Sequence, residues 1–259
     1  MYTMKIRNGI SISAASMLGK REQQQDFYVS RQLPDRTIAI VCDGMGGLNG
    51  GSVASRHAAE ILLHDMENVS SEADMHEFFR MELEKLDDEI YGLKNPDGSR
   101  MGAGTTIVSV LMFDNYLYWF SVGDSKLFYY RKQEMYCVTR EHNYAMKLNA
   151  LREEKQISEE KYKSEVLKGE QLISYLGMGM AELFDGNYSP FLVEKGDKIL
   201  LCTDGLYRSV SQQEIKNILQ LPETTEKLCM RLEKTVNSKN VRNQDNATWI
   251  ILQRIGEGI

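Results

Sequence analysis

Short hydrophobic stretches recur along the chain and predict the strands of a sheet. They lie at 38–42, 106–113, 116–122, 126–130, 135–139, 198–203 and 247–254. Each stretch has the length of a strand rather than that of a typical helix. Asp114 and Asn115 separate two of the stretches and have the chemistry of a two-residue β-hairpin turn. Consecutive hairpins of this kind predict an antiparallel sheet.

Hydrophobic residues at helical spacing predict two helices after the first of these strands. Residues 52–66 carry one apolar face, formed by Ala54, Ala58, Ile61 and Leu62. Residues 75–90 carry another, formed by Met75, Phe79, Leu83, Leu86 and Ile90. Because both segments have a single apolar face, we expect the two helices to pack side by side on a sheet.

Two more helices are predicted towards the end of the chain. Ser211 and Glu214 have the spacing of a capping box and stand just before the segment "IKNIL". Residues 224–236 repeat the amphipathic pattern with Leu228, Leu232 and Val236. Since the strands and the helices form separate clusters, the pattern favours a layered α+β domain.

The segment from Glu141 to Lys168 differs from the rest because it is heavily charged and only weakly amphipathic. We interpret it as an exposed helical insert. Its charges have two explanations at this stage. They can form an ordinary solvated face, or they can contact a substrate.

Composition limits the kinds of protein this chain can be. Its 259 residues and 42% hydrophobic content suffice for one large domain, and no low-complexity linker divides them, so we expect a single domain over 1–259. The net charge of -6 and the lack of Lys/Arg runs argue against binding to nucleic acid. Neither a secretory signal nor an apolar run of about 18 residues is found, which favours a cytoplasmic protein that does not span a membrane.

The cysteines and histidines lack the spacing of zinc sites. We expect buried, reduced thiols at Cys42, Cys137, Cys202 and Cys229. We expect solvated side chains on helices or loops at His57, His64, His76 and His142.

Aspartates occur at the ends of several predicted strands. Asp43 and Asp204 each end an apolar run and precede a glycine, Asp124 ends "YWFSVGD", and Asp245 stands just before the last apolar run. Any one of them alone would more often belong to a turn than to a site. Four of them at one rim of a sheet would repel each other, and a divalent cation would remove that repulsion. An all-oxygen ligand set favours Mg²⁺ or Mn²⁺.

Six short motifs together resemble those of a known enzyme family. They are "GKREQQQD", "CDGMGG", "GAGTT", "SVGDSK", "CTDGL" and "RNQDNATW". Their order and approximate spacing are similar to those of the metal-dependent type-2C serine/threonine protein phosphatases, the PPM family, and the bacterial members resemble the chain most. The similarity extends from about Ser11 to Leu252. It implies a four-layer αββα sandwich of two antiparallel sheets flanked by helices, with a helical flap insert at approximately 141–180.

The resemblance also implies a metal centre with two Mn²⁺ or Mg²⁺ ions at one end of the sandwich. Asp43 matches the carboxylate that bridges both ions. Asp204 and Asp245 match ligands of one ion, and the carbonyl of Gly44 matches a ligand of the other. Asp124 matches the ligand of a third, weaker metal site, which it shares with Asp204.

Two further residues acquire roles from the resemblance, and three depart from the family pattern. Arg21 matches the arginine that holds the substrate phosphate, and Asp26 matches the acid that orients the metal-bound water. Gln24 stands where the family usually has asparagine, and Lys126 stands where it usually has arginine. Met45 replaces a histidine that many eukaryotic members carry as a general acid.

The function implied is hydrolysis of phosphoserine and phosphothreonine in proteins by a water that bridges the two ions. The expected partners are phosphorylated proteins, substrates of a serine/threonine kinase in signal transduction, and the enzyme is expected to be a monomer. Two alternatives remain. One is a catalytically weak scaffold that binds phosphoproteins with the same fold, and the other is a phosphohydrolase of small molecules.

Overall fold

The computed structural model describes residues 5–47, 49–71 and 73–256. In chain order, the strands of this part are β1 (Lys5–Arg7), β2 (Ile10–Met17), β3 (Asp26–Gln32), β4 (Arg36–Met45), β5 (Gly104–Thr105), β6 (Ile107–Phe113), β7 (Tyr116–Val122), β8 (Lys126–Arg131), β9 (Glu134–Cys137), β10 (Asp185–Gly186), β11 (Phe191–Leu192), β12 (Lys198–Cys202) and β13 (Ala247–Arg254). The helices are α1 (Gly50–Asn68), α2 (Met75–Tyr91), α3 (Tyr144–Glu153), α4 (Glu159–Glu165), α5 (Asp204–Tyr207), α6 (Gln212–Leu219) and α7 (Thr225–Lys239). None of the described helices is both long and apolar enough to cross a membrane.

The strands form two antiparallel sheets. The first sheet has the order β1-β2-β13-β12-β8-β9. The second has the order β10-β7-β6-β4-β3, and β11 and β5 pair with β7 and β4 respectively. Strand β13 pairs with β2 along its whole length, from Ala247 opposite Met17 to Arg254 opposite Ile10, so segments near the two ends of the chain are neighbours in the first sheet.

Three apolar clusters show how the layers stack. One cluster lies between the two sheets and includes Val41, Val110 and Ile250. A second joins α1 and α2 to the outer face of the second sheet, and a third joins α6 and α7 to the outer face of the first sheet. The order of layers is therefore helices, sheet, sheet, helices. The predicted four-layer α+β sandwich is confirmed.

Local sequence signals explain most element boundaries. The hairpin predicted at Asp114 is present, and this residue has a φ of 51° that aspartate tolerates better than most residues. The capping box at Ser211 and Glu214 is formed at the start of α6. Helix α7 ends at Lys239, and the next residue, Asn240, has a φ of 48°. This left-handed conformation commonly terminates a helix.

Strands β2 and β3 were not among the predicted elements. The sequence of β2 alternates serines with apolar residues, and the serines are buried through side-chain bonds. Ser11 and Ser13 share the hydroxyl of Thr225 on α7, at 2.8 and 2.9 Å. Strand β3 forms one edge of its sheet, so half of its residues are polar and partly exposed. Neither strand forms a continuous apolar run.

The segment predicted as an exposed helical insert consists of α3, α4 and a short 3-10 turn, Val166–Lys168. We call residues 144–168 the helical insert. Leu148 is the one buried residue of α3, and α4 has none. The following residues return to the body of the protein, where Leu172 pairs with Asn143 and Leu176 pairs with Thr105. The predicted flap boundary at 180 thus includes a stretch that is attached to the sandwich.

A buried carboxylate holds the loop that follows this return. The Oδ1 atom of Asp87, on α2, accepts hydrogen bonds from the backbone N–H groups of Gly177, Met178 and Gly179 at 2.6, 3.0 and 3.3 Å. Its Oδ2 atom accepts a bond from the N–H of Ala181 at 3.0 Å. One side chain therefore satisfies four backbone donors that no strand or helix pairs.

We predict that Asp87→Ala destabilises the protein strongly. The substitution leaves backbone N–H groups without a partner, and we expect the free energy of unfolding to fall by about 3 kcal/mol. Urea or thermal unfolding measures this loss. Asp88→Ala is the matched control, because Asp88 is exposed on the same helix and should cost less than about 0.5 kcal/mol. Equal effects of the two changes would contradict the role assigned to Asp87.

Candidate metal centre

A cavity of about 300 Å³ opens at the end of the sandwich where β4 and β12 finish. Its lining contains six of the predicted site residues, namely Arg21, Asp43, Gly44, Asp124, Asp204 and Asp245. The seventh, Asp26, is directly opposite Asp43 in the β3–β4 register. The structure therefore brings together residues from five separate segments of the chain, as the sequence predicted for the aspartates.

Asp26 is buried beside Asp43 and is held by one strong contact. Its Oδ2 atom accepts a hydrogen bond of 2.8 Å from the hydroxyl of Thr203. Thr203 is the residue before α5, so this bond also fixes the start of the helix that carries Asp204. The hydroxyl of Thr203 in turn accepts the N–H of Thr248 at 3.0 Å. Both sheets contribute to the position of this carboxylate.

The backbone of Asp43 is fixed by the two threonines of the motif "GAGTT". Its carbonyl accepts bonds of 2.9 Å from the hydroxyl of Thr105 and from the N–H of Thr106. Its N–H donates to the hydroxyl of Thr106 at 3.1 Å, and that hydroxyl lies 2.7 Å from the hydroxyl of Ser125. This motif therefore anchors Asp43 and links it to the residue after Asp124.

The glycines around Asp43 have different reasons for their presence. A Cβ at Gly44 would lie 2.1 Å from the carbonyl oxygen of Gly51, so the strand can pass the start of α1 only without a side chain. Gly46 has a φ of 143°, which disfavours other residues, whereas a Cβ at Gly47 would meet nothing within 4 Å. At Gly44, packing against the start of α1 therefore already requires a glycine.

The loop that carries Arg21 is attached through Asn246, a residue to which the sequence assigned no role. Its Oδ1 atom accepts the N–H of Gln25 at 2.9 Å, and its Nδ2 atom donates to the carbonyls of Leu18 and Gln23 at 2.9 and 3.0 Å. Asn246, the second asparagine of "RNQDNATW", therefore holds both sides of the loop. Its partners are distant in sequence, and no local signal indicates them.

Two departures from the family motifs still make well-defined contacts. The Oε1 atom of Gln24 accepts a hydrogen bond from the backbone N–H of Asp26 at 3.0 Å, and its Nε2 atom donates to the hydroxyl of Ser16 at 2.8 Å. Lys126 is nearly buried and forms an ion pair of 2.6 Å with Glu141, just before the helical insert. Both side chains therefore position neighbouring parts of the site.

The carboxylates form ion pairs with two arginines. Arg21 Nη2 is 2.6 Å from Asp245 Oδ2, and both side chains are well exposed. Arg208 Nε is 2.9 Å from Asp204 Oδ2, and its Nη2 atom is 3.6 Å from Asp124 Oδ2. The Arg21–Asp245 pair is exposed at both ends and contributes little net free energy, whereas the partners of Arg208 are mostly buried.

Burial and mutual repulsion favour the protonated form of these carboxyl groups. Burial, together with the charges of Asp26 and Asp204, holds the pKa of Asp43 well above its ordinary value. Burial raises the pKa of Asp26 to about 7, although the hydroxyl of Thr203 opposes the shift. Burial and the charge of Asp204 raise the pKa of Asp124 to about 6. The cluster therefore carries more negative charge than its surroundings stabilise.

The donor set fits a hard divalent cation. The candidate ligand side chains in the cavity are all aspartates, which offer oxygen atoms. A bound cation would remove the repulsion among them. Within residues 5–47, 49–71 and 73–256, no three carboxylate, histidine or cysteine side chains are already grouped as ligands of one ion. Arg21 pairs with Asp245, and Arg208 pairs with Asp204 and Asp124, so a bound cation would share or replace these contacts.

His142 is the clearest functional candidate that the sequence misjudged. We expected it to be solvated, but it is fully buried. Its Nδ1 atom accepts a hydrogen bond from the backbone N–H of Gly123 at 3.1 Å. The backbone N–H of His142 donates to the carbonyl of Gly123 at 3.0 Å. Its Nε2 atom lies 3.5 Å from Asp185 Oδ2. His142 therefore fixes the residue before Asp124 from the base of the helical insert.

The cysteine prediction also needs a correction. Cys42, Cys202 and Cys229 are buried free thiols, as expected, but Cys137 is exposed at the end of β9. This strand is the edge of the first sheet, which explains the exposure of its last residue. His64 is exposed, as predicted, and His57 and His76 are partly exposed on α1 and α2.

A model of a known family matches residues 15–245, and its description is Protein phosphatase 2C. The chain belongs to the protein phosphatase 2C family. The protein phosphatase PhpP of Streptococcus pneumoniae is 30% identical to this phosphatase over 207 residues, which cover 77% of this chain and 80% of PhpP. The serine/threonine phosphatase stp of Listeria monocytogenes is 27% identical over 224 residues, 85% of each chain.

Solved structures agree with this assignment at the level of the fold. The S. agalactiae serine/threonine phosphatase superposes with a TM-score of 0.80 at 24% identity, over 95% of this chain and 100% of that one. The catalytic domain of the serine threonine protein phosphatase PstP, solved in complex with two manganese ions, superposes with a TM-score of 0.73 at 23% identity, over 95% and 99%. The sandwich of this phosphatase is thus the fold of its family.

We predict that the carboxylate cluster makes stability fall as pH rises when no divalent cation is available. The folded state binds protons at Asp26, Asp43 and Asp124 more tightly than the unfolded state, whose aspartates titrate near pH 4. Their contribution is therefore fully present below about pH 4 and is lost as pH rises through the folded pKa values of about 6 and about 7. In chelator, we expect the Tm to be lower by about 5 °C at about pH 7.5 than at about pH 5.

Thermal melts in chelator measure this effect, and Asp43→Asn is the informative variant. Removing this charge should make the fall in Tm between the two pH values smaller. Added Mn²⁺ or Mg²⁺ should raise the Tm more at the higher pH, because the ligands must be deprotonated to bind. A Tm that rises with pH in chelator would contradict the arrangement of charges described above.

Proposed function

We propose that this phosphatase, acting as a single catalytic domain over 1–259, hydrolyses phosphoserine and phosphothreonine in proteins with the help of two Mn²⁺ or Mg²⁺ ions. The observation that carries the proposal is the cavity at the end of the sandwich. Aspartates from separate strand ends line it together with an exposed arginine. Such a cavity offers ligands for cations and a contact for a phosphate at the same place.

Five residues would hold the ions. Asp43 would bridge them, Asp204 and Asp245 would bind one, and the carbonyl of Gly44 would bind the other. Asp124, with Asp204, would form a third and weaker site. Two such ions, when bound, lower the pKa of a water molecule between them and neutralise charge on the phosphoryl group.

Arg21 and Asp26 would act on the substrate and on water respectively. The guanidinium of Arg21 is a planar, permanently charged fork that matches two phosphate oxygens, and its single pair with Asp245 leaves other N–H groups free to bind. Asp26 is held by the hydroxyl of Thr203 beside Asp43, and in this position its carboxylate would orient a water or accept its proton.

The family membership supports the protein substrate. PhpP and stp are named as a protein phosphatase and a serine/threonine phosphatase, and PstP was crystallised with manganese. We further propose that the substrates are phosphorylated by a serine/threonine kinase, and that the enzyme works as a monomer in the cytoplasm. The full set of candidate ligands argues against a catalytically weak scaffold.

We predict that hydrolysis of phosphoserine and phosphothreonine peptides requires millimolar Mn²⁺ or Mg²⁺. Activity should vanish in excess chelator and return when the cation is restored, because the site contains no other electrophile of comparable strength. Release of inorganic phosphate measures this. A panel of small metabolite phosphates run in parallel separates the enzyme from a small-molecule phosphohydrolase. Full activity in chelator would exclude the proposed metal mechanism, and turnover of none of these substrates would favour the scaffold.

We predict different kinetic effects for the two central residues. Asp43→Asn removes the bridging charge and should lower kcat by about 10³-fold, or about 4 kcal/mol. Arg21→Ala removes a charged contact to the phosphate and should raise KM by about 30-fold, or about 2 kcal/mol, with a smaller effect on kcat.

Steady-state kinetics on one phosphopeptide distinguish these outcomes. Asp88→Asn and Arg80→Ala are the matched controls, because both residues are exposed on α2 and outside the cavity. A near-normal kcat in Asp43→Asn would refute the bridging role. A loss confined to kcat in Arg21→Ala would refute the phosphate contact.

We predict that the helical insert affects protein substrates more than small ones. The N–H of Ala145 bonds the carbonyl of Gly169 at 2.9 Å, so the ends of the segment are adjacent and a short Gly/Ser loop can replace residues 146–167. A charged surface beside the cavity can contact a phosphoprotein around its phosphorylated residue but hardly reaches a small aryl phosphate. We expect kcat/KM to fall by about tenfold on the protein and by less than about twofold on the aryl phosphate.

Kinetics of both substrates with the same variant decide between the two explanations of these charges. Thermal melting serves as the control that the sandwich remains folded. Equal losses on both substrates would mean that the insert supports the metal site itself. Unchanged values on both would return the insert to an ordinary solvated surface.

A further inference from the structure

Arg208 joins three carboxylates that belong to different parts of the chain. It follows α5, and its Nε atom lies 2.9 Å from Asp204 Oδ2. Its Nη2 atom lies 3.6 Å from Asp124 Oδ2. Its Nη1 atom donates to Glu170 Oε2 at 2.6 Å, and Glu170 stands just beyond the helical insert. One guanidinium thus connects two candidate metal ligands with the end of the insert.

The three partners of Arg208 differ in how firmly they are held. Asp124 is buried and Asp204 is mostly buried, and the backbone of Arg208 bonds the carbonyl of Asp204 at 2.9 Å, one turn before it. Glu170 is the opposite case, because 80% of its side chain is exposed. The side chains of Arg208 and Glu170 are both partly free to move. The guanidinium can therefore change its contacts with the aspartates and keep its contact with Glu170.

A divalent cation bound by Asp124 and Asp204 would compete with Arg208 for the same charges. Two cations beside one pair of carboxylates repel each other, so binding of the ion favours departure of the guanidinium. Glu170 is already in contact with Arg208 and can retain it after this departure. After the departure Glu170 would be the one carboxylate of the three left to the guanidinium, so its contact would stabilise the displaced arrangement more than the starting one.

We infer that Arg208 is the chain's own counter-ion for Asp124 and Asp204, and that a divalent cation at this pair displaces it towards Glu170. This inference rests on the proposed metal site but requires no catalysis.

Titration with Mn²⁺, followed by calorimetry, tests this displacement. Arg208→Gln should lower the Kd of the weakest Mn²⁺ site by about tenfold, and it should lower the Kd of the tighter site that includes Asp204 by a smaller factor. Arg208→Lys, which keeps the charge, should remain near the wild-type value. The matched control is Arg152→Gln, because Arg152 forms an exposed pair with Glu159 inside the insert, away from the cavity. It should change no Kd.

A double-mutant comparison separates the charge of Glu170 from its action through Arg208. Glu170→Gln alone should raise the Kd of the weakest site by about threefold, because the displaced guanidinium loses its partner. The same change in the Arg208→Gln protein should have less than a twofold effect. An equal effect in both proteins would mean that Glu170 acts only as a nearby negative charge, which would overturn the displacement.

The outcomes also separate this inference from the proposed function. A protein that binds no Mn²⁺ at all refutes both. A protein that binds Mn²⁺ and hydrolyses phosphopeptides, but whose affinities do not change in Arg208→Gln, refutes the role of Arg208 alone.

Discussion

The mutual repulsion of carboxylates at one end of the sandwich is the constraint on which the rest of the structure depends. Asp26, Asp43 and Asp124 are held close together with little water around them, and each raises the energy of its charged neighbours. Such a cluster persists only if the backbone is held rigidly from several sides. The ladder between β3 and β4, the bond from Thr203 and the start of α5 supply this rigidity.

The carboxylates of the site are rigidly held, whereas its arginine side chains are partly exposed. The backbone of Asp43 is fixed by buried threonines, whereas Arg21 is more than half exposed and Arg208 is 40% exposed. A fixed oxygen set lowers the cost of organising ligands when an ion binds. Arg21, whose exposed pair loses little free energy on departure, makes the exchange of one cation for another inexpensive. Phosphate chemistry needs both properties, because charge must enter and leave the cavity in each cycle.

The sequence predicted those features that depend on local patterns. Apolar runs predicted the central strands, helical spacing predicted α1, α2 and α7, and the strand-end aspartates predicted a group of carboxylates that the structure places in one cavity. Features that depend on distant partners could not be predicted in this way. The burial of His142 requires Gly123 and Asp185, and the loop of Arg21 requires Asn246, far along the chain. Strand β2 was missed because Thr225, on another layer, makes its serines suitable for burial.

The helical insert is attached to the body by forces unlike those that hold the sandwich together. Apolar contact is limited because Leu148 is the one buried residue of α3 and α4 has none. Ion pairs flank the segment on both sides, Glu141 with Lys126 before it and Glu170 with Arg208 after it. Salt and bound cations weaken such pairs, whereas they leave apolar burial largely unchanged. The sandwich thus rests mainly on apolar burial, to which a bound cation would add, whereas the attachment of the insert rests on ion pairs that salt and cations weaken. The position of the insert is therefore expected to depend on ionic conditions far more than the core does.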